Sequence, residues 1–393
     1  MTTKHLARGF RALAMVCAVL VATPASSGEP PTAPTPATRS GHVRTRVPLV
    51  TDPLGPVTVP VTGDIQWVHD PDIAREGKRY YVYYTHGGIH TLSSPDLVHW
   101  QRGADALPGD PAWVATVVPN ANPNDLWAPD LSFWGGQWHL YYAKSEWVTF
   151  PTRNSAIGHA TSPTLDPSDP RYGWVDHGPV VTSQGGFLDP SQSSGWNAID
   201  PSVALDRDGT PWLTWGSAFD GIFIQRLASD GSLAPGSQPI ELARRGHYLS
   251  VVEASQLVRH RGYWWLFVSY DYCCFGTRSS YNIRVGRSRH ITGPYVDRKG
   301  ESLISPRDGR PTAQDAGEFV LRGYGSVYGP GHQSVLRDRG RWWLVHHWYD
   351  PAGMFSPTQA GRPELAIRPL DWGRDGWPIA RGWTPALPVP TPF

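Results

Sequence analysis

The chain has 393 residues, 40% of them hydrophobic, enough to fill the core of one large domain or two ordinary ones. A formal charge of +1 excludes the basic surface that nucleic-acid binding needs, and nothing beyond the N-terminus calls for a membrane span. The 41 Gly and 39 Pro, set between short β-branched and aromatic runs, exclude a mainly helical protein and predict an all-β fold.

At the N-terminus, Lys4, Arg8 and Arg11 precede an apolar run over residues 12–22 and then small residues through Ser27. This is the pattern of a cleaved secretory signal, so residues 1–27 are expected to be removed and the mature protein to be extracellular. Cys17 lies inside the apolar run behind Val16, which argues against a lipid attachment site. Residues 28–47 are rich in Pro, Thr, Ala and Ser and too poor in large apolar side chains to pack, so they read as a disordered leader. Residues 48–393 are expected to form one domain.

Within that domain a pattern recurs five times: an acidic residue or His opens a short strand, a Gly-bearing turn follows, and a second strand dense in Trp and Tyr returns. The openings are His69-Asp70-Pro71-Asp72, Ala128-Pro129-Asp130-Leu131, Ile199-Asp200-Pro201-Ser202, Val252-Glu253-Ala254 and Gly331-His332-Gln333-Ser334. The turns contain Gly77, Gly135-Gly136, Gly209, Gly262 and Gly340, each a hairpin signal. Further strands are expected near residues 156–161, 221–227, 282–288 and 365–370. Five units of this size predict a five-bladed β-propeller, expected as a monomer.

Radial repetition sets the first strand of each blade beside the central channel, so Asp70, Asp130, Asp200, Glu253 and His332 are expected to converge on one mouth. Isolated acids of this kind often cap strand starts, and Asp130 reads more readily as a cap than as a substrate ligand. Trp127, Asn197 and Ser217 flank the openings and are the candidates for stacking on a sugar face and for binding its hydroxyls, with core filling the competing role for Trp127. Once a signal is removed, only the adjacent Cys273 and Cys274 remain. They are too few for a disulfide framework or a zinc site; a vicinal disulfide and buried thiols both stay open.

The ordered stretches Val68-His69-Asp70-Pro71, Leu126-Trp127-Ala128-Pro129-Asp130, Asn197-Ala198-Ile199-Asp200-Pro201-Ser202, Tyr270-Asp271-Tyr272-Cys273-Cys274, Ser280-Tyr281-Asn282-Ile283 and Tyr328-Gly329-Pro330-Gly331-His332 resemble glycoside hydrolase family 43. Within it they are most similar to endo-arabinanases acting on α-1,5-linked arabinofuranose chains, over residues 63–378. The resemblance implies that Asp70 is the general base, Glu253 the general acid, and Asp200 the residue that adjusts the acid's pKa and orientation. It implies that His332 holds a cation, usually calcium through intervening waters, in the channel below the site. Plant cell-wall arabinan is then the implied substrate.

Inverting hydrolysis needs one carboxyl group to protonate the leaving oxygen and one carboxylate on the opposite face to activate water. Asp200 beside Glu253 is expected to keep the latter protonated by like-charge repulsion. The rival enzyme readings are an exo-acting α-L-arabinofuranosidase and a β-xylosidase on the same scaffold; a chain ending soon after the fifth repeat is expected to leave an open cleft and so to favour internal cleavage. A non-catalytic sugar-binding propeller has no need of Asp70, Asp200 and Glu253 together.

Overall fold

In the computed structural model the described residues are 59–147, 152–185, 195–247, 251–307 and 315–383. The expected signal and leader segments, 1–27 and 28–47, lie outside them. Five antiparallel sheets follow one another along the chain, and together they form the five-bladed β-propeller that the repeats predict. Blade one holds β2 (Asp72–Glu76), β3 (Arg79–Tyr84), β4 (His90–Ser94) and β5 (His99–Arg102). Blade two holds β6 (Trp127–Trp134), β7 (Gln137–Ser145), β8 (Ser155–Ser162) and β9 (Val175–Ser183). Blade three holds β10 (Ser202–Leu205), β11 (Pro211–Trp215), β12 (Ile222–Arg226) and β13 (Ile240–Ala243). Blade four holds β14 (Val252–His260), β15 (Tyr263–Tyr270), β16 (Asn282–Ser288) and β17 (Glu318–Arg322), and blade five β18 (Tyr328–Asp338), β19 (Arg341–Ser356), β20 (Gln359–Trp372) and β21 (Pro378–Ala380).

The first hairpin of each blade turns where the glycines stand. Gly77, Gly209, Gly262 and Gly340 all have positive φ, the last two preceded by Arg261 and Arg339 in the left-handed region as well. Consecutive residues of positive φ match the right-handed strand twist and set the hairpin register. One element was not legible beforehand: β1 (Thr62–Gly63) pairs in parallel with β5 at the edge of blade one. The segment before and after it runs along β20, with the Val59 amide donating to the Ile367 carbonyl at 2.7 Å and the Trp67 amide to the Pro363 carbonyl at 2.8 Å. The N-terminal end of the fold is thereby fastened to the last blade, and Val59 is buried with Trp343, Leu365 and Ile367.

A second closure runs around the channel. Asp72 Oδ2 accepts the Leu131 amide of the next blade at 2.7 Å, Asp130 Oδ2 accepts that of Val203 at 3.0 Å, Gln256 Oε1 that of Val335 at 2.6 Å, and Ser334 Oγ that of Ile73 at 3.3 Å. The inner strands of blades one, two, four and five thus each satisfy a backbone donor of the next blade, which a buried amide requires. Asp130 does cap a strand, but that of the following blade rather than its own.

In blade two, His139 and His159 lie buried on adjacent strands, Nδ1 of the first 2.9 Å from Nε2 of the second, with Trp134 stacked on His139. Burial holds their pKa values down to about 4 and about 3. Unfolded histidines take up protons below ~6.5, so each of these costs stability as pH falls from there toward its folded value, by up to about 1.4 kcal/mol per pH unit. His159→Phe should flatten the acid side of the stability profile between about pH 6.5 and 4. Denaturant unfolding at several pH values would read this, and parallel profiles for the two proteins would contradict it.

Candidate active site

Each blade opens on a non-glycine residue with left-handed backbone: Asp70 (φ 48°), Ala128 (φ 46°), Asp200 (φ 55°), Ala254 (φ 53°) and His332 (φ 48°). These five are the true equivalents of the repeat. A positive φ at a strand start re-aims the flanking side chains, as bulges next to active sites do, and in three blades the pairing register shifts at this point. The expected alignment is therefore corrected twice. Asp130 stands two residues past its blade's left-handed position and belongs with Asp72, Ser202, Gln256 and Ser334 in the layer below, so it does not join the mouth. Glu253 stands one residue before its own, in the position that His69, Trp127, Ile199 and Gly331 take in the other blades.

The mouth brings together Asp70, Asp200, Glu253 and His332. Asp70 Oδ1 lies 2.8 Å from His69 Nδ1 and 3.0 Å from His332 Nδ1, and its Oδ2 accepts the Thr85 hydroxyl at 2.5 Å. Its backbone amide donates to Nδ1 of the fully buried His347 at 3.2 Å. Burial opposes ionisation of Asp70, but the charges and hydrogen bonds of His332 and His69 outweigh it and hold the carboxyl well below the usual range. Asp70 is therefore a carboxylate across the neutral range.

Glu253 is the opposite case. Oε1 accepts the Tyr281 hydroxyl at 2.7 Å and Oε2 the Ser217 hydroxyl at 2.6 Å. Its pKa is raised, burial being the main cause and the charge of Asp70 adding to it, while the two hydroxyls and His332 pull the other way. Asp200 Oδ2 accepts the Ala254 amide at 3.1 Å, next in the chain to Glu253. Burial, then repulsion from Glu253 and Asp70, pushes Asp200 up to about 8 despite the opposing charge of His332. Two buried carboxyl groups that repel each other's charge retain a proton between them. The idea that Asp200 alone keeps Glu253 protonated is thus too narrow: burial leads. Asp200→Asn removes the carboxyl that shares the retained proton with Glu253, and with it the negative charge that Asp200 carries once ionised. Glu253 should then lose its proton more readily, and the basic limb of the kcat–pH profile should move to lower pH. An unmoved limb in the variant would contradict the coupling.

The three substrate-contact candidates fall in different places. Trp127 is half-buried at the start of β6, in the position that Glu253 occupies in blade four, which suits a residue lining the cleft. The Ser217 hydroxyl is already given to Glu253, so its visible partner is the acid rather than a ligand. Asn197 is fully buried; its Oδ1 accepts the Ser155 hydroxyl at 2.8 Å, tying blade two to the segment that leads to Asp200. Tyr281, His69, Thr85 and His347 had not been expected at the site as individuals. Gly331 has the same blade position as Glu253, and the Tyr281 ring lies where a Cβ there would stand, 2.0 Å away. Glycine at 331 therefore makes room for the hydroxyl that reaches Glu253.

His332 fits a cation ligand on one count. Its Nδ1 is engaged by Asp70, the arrangement by which a carboxylate orients a ligating imidazole toward a metal at Nε2. Burial opposes a charge on the ring, but Asp70, Asp200 and Glu253 push its pKa up to about 9, so a cation would have to displace the Nε2 proton. Beneath it is a small polar cavity of about 20 Å³, lined by Asp72, Asp130, Gln256 and Gln333 among others, with space for water-sized occupants. Among the described residues no three metal-binding side chains gather around His332. Any cation here would be held largely by water.

A channel mouth that holds one carboxyl group ionised and biases another toward its protonated form is arranged for general acid–base cleavage of a glycosidic bond, and the class so defined is a glycoside hydrolase. Comparison with known proteins supplies the family. Residues 60–378 match glycosyl hydrolases family 43, and the chain belongs to that family. It is 34% identical over 315 residues to the extracellular endo-α-(1→5)-L-arabinanase 1 of Bacillus subtilis, covering 79% of this chain and 87% of the relative. It is 33% identical over 321 residues to the extracellular exo-α-(1→5)-L-arabinofuranosidase ArbA of Cellvibrio japonicus, covering 79% and 85%. Among solved structures, the Cellvibrio cellulosa α-L-arabinanase complexed with arabinohexaose superposes with a TM-score of 0.70 at 32% identity, over 81% of this chain and 96% of that one.

Proposed function

We propose that this glycoside hydrolase is a secreted, monomeric endo-arabinanase that cleaves internal α-1,5-L-arabinofuranosidic bonds with inversion. The observation that carries the chemistry is the opposed titration of the site: Asp70 held ionised by His332 and His69, Glu253 biased toward its protonated form by burial. In this reading Asp70 takes a proton from the attacking water while Glu253 gives its proton to the departing oxygen, and Asp200 sets the charge and placement of Glu253. Trp127 offers a sugar-stacking face. The substrate class is supported by the arabinan-directed names of the relatives, and secretion by their description as extracellular together with the basic–apolar start of the sequence.

Exo action is the second reading, because an exo-1,5-α-L-arabinanase from a bovine ruminal metagenomic library is 38% identical with a TM-score of 0.69 over 80% of this chain and 96% of that one. Product sizes from linear arabinan over time separate the two. A spread of oligosaccharides in the first minutes supports internal cleavage; one short product from the outset, with the polymer length falling slowly, supports exo action.

His332 would hold a calcium ion through Nε2 and waters, the ion supplying positive charge beneath the three acids. Chelation and, separately, His332→Ala should each lower kcat by about 10-fold or more, the loss typical of a disrupted metal environment, with a smaller change in thermal unfolding. Full activity after both treatments would rule the cation out, as would metal analysis finding no divalent ion in the active protein.

A further inference from the structure

The turn that follows β15 reaches the catalytic carboxylate by a route that the acid–base chemistry leaves unexplained. Cys273 and Cys274, adjacent in sequence, are joined by a disulfide. Both flanks of this turn are pinned: Asp271 pairs with Arg245 at 2.7 Å and accepts from the side-chain Nδ2 of Asn282 at 2.8 Å, and the Phe275 backbone amide donates to Ser279 Oγ at 3.0 Å. The Cys274 amide, on a left-handed residue, donates to the Tyr349 hydroxyl oxygen at 2.7 Å. That oxygen lies 2.9 Å from His69 Nε2, and His69 Nδ1 lies 2.8 Å from Asp70 Oδ1. The His69 ring is also clamped from one side by His347, centroids 3.9 Å apart.

The hydrogens along this path have one consistent direction. Ionised Asp70 only accepts, so the hydrogen between it and His69 is on Nδ1. In the neutral ring Nε2 then accepts, and its donor is the Tyr349 hydroxyl, whose oxygen lone pair takes the Cys274 amide. An amide can only donate. The Cys274 backbone therefore orients Tyr349, Tyr349 selects the His69 tautomer, and His69 presents N–H to the carboxylate. The disulfide sulfur of Cys274 stands 3.8 Å from the same Nε2.

We propose that the turn closed by the Cys273–Cys274 disulfide is a positioning element for the catalytic base, with Tyr349 and His69 as the positioning residues that connect it to Asp70. The proposal rests on Asp70 acting as base. Opening the disulfide frees the turn between its pinned flanks, lets the Cys274 amide leave Tyr349, and puts a thiol within reach of Nε2 as a competing donor. Reduction by a dithiol balances simply: two thiol hydrogens and two electrons pass to Cys273 and Cys274, and the reagent closes to its own cyclic disulfide.

The test measures kcat and KM on linear arabinan before and after dithiothreitol, with the mass gain of two hydrogens verifying reduction, for the wild type, Tyr349→Phe and a Cys273→Ser/Cys274→Ser double variant. Reduction should lower kcat by about 10-fold with KM nearly unchanged, because small misplacements of a catalytic group cost rate rather than affinity. Reoxidation should restore it. Tyr349→Phe should start at the lowered kcat and respond little to reduction, since both changes break one path. The serine variant should resemble the reduced wild type and ignore the reagent. Unchanged kcat in verified reduced enzyme, or a full reduction effect on top of Tyr349→Phe, would overturn the proposal. Nitrogen-15 spectra of the ring signals that disappear in His69→Gln provide a readout independent of turnover. They should show Nδ1 protonated in the oxidised protein and change on reduction; identical spectra in both states would overturn the relay even if arabinan proved not to be the substrate, while a spectral change without arabinan cleavage would support the relay and fault only the substrate assignment.

Discussion

Asp70→Ala should lower kcat on linear arabinan by about 10²–10⁴-fold or more, the range for loss of a general base, and should lower it as much on an activated aryl arabinofuranoside. The reason lies in what the residue does. Water must be deprotonated whatever group departs, so a good leaving group offers no relief. Three donors converge on this one carboxylate, from His69, His332 and Thr85, and the buried His347 holds its backbone amide. An environment so committed to one ionised group leaves no neighbour to replace it: Glu253 and Asp200 are both pushed toward their protonated forms. Rates on the two substrates decide the matter, and a variant selectively rescued by the activated substrate would mean that Asp70 is the acid.

Glu253→Ala should show the complementary pattern. Arabinan, whose leaving alkoxide needs a proton, should lose about 10²–10⁴-fold or more, while an aryl substrate, if the cleft admits it, should be partly spared. Removing the side chain also leaves the Tyr281 and Ser217 hydroxyls without their shared acceptor, so some loss of stability is expected from buried groups left unsatisfied. Glu253→Gln keeps the shape of the side chain, its Oε1 accepting one hydroxyl and its NH2 donating to the oxygen of the other, and separates the two effects: it should recover much of the stability and leave the arabinan rate low. Equal losses on both substrates in both variants would argue against proton donation.

The propeller was legible because its signals are local. A Gly-bearing turn between alternating strands states a hairpin wherever it occurs, and five of them state the repeat. Phase within the repeat was harder to read, since it depends on a backbone conformation carried by residues that do not advertise it. Ala128 and Ala254 have no functional groups, so the acidic neighbours Asp130 and Glu253 drew the alignment to themselves, two residues late and one residue early. A usable cue was present: Pro71, Pro129 and Pro201 each follow the left-handed residue, and aligning them would have placed Asp130 beside Asp72. In blades four and five Ser255 and Gln333 stand there instead, which hides the register.

Contacts made across the ring were out of reach for a different reason. Ser217 and Tyr281 meet at Glu253 from blades three and four, and Cys274, Tyr349 and His69 meet from blades four, five and one. Nothing in local composition couples segments so far apart. The fastening of residues 59–67 along β20 is of the same kind, a pairing between the two ends of the fold that no periodicity marks.

The central claim is a single displacement by water with Asp70 as base and Glu253 as acid, and the anomeric configuration of the first-formed product tests it most directly. Proton NMR of linear α-1,5-arabinan during the first turnovers, before mutarotation equilibrates the new reducing ends, should show the β-anomer appearing first and the α-anomer growing only later. An α-anomer present from the outset would mean retention through a covalent intermediate and would contradict the account.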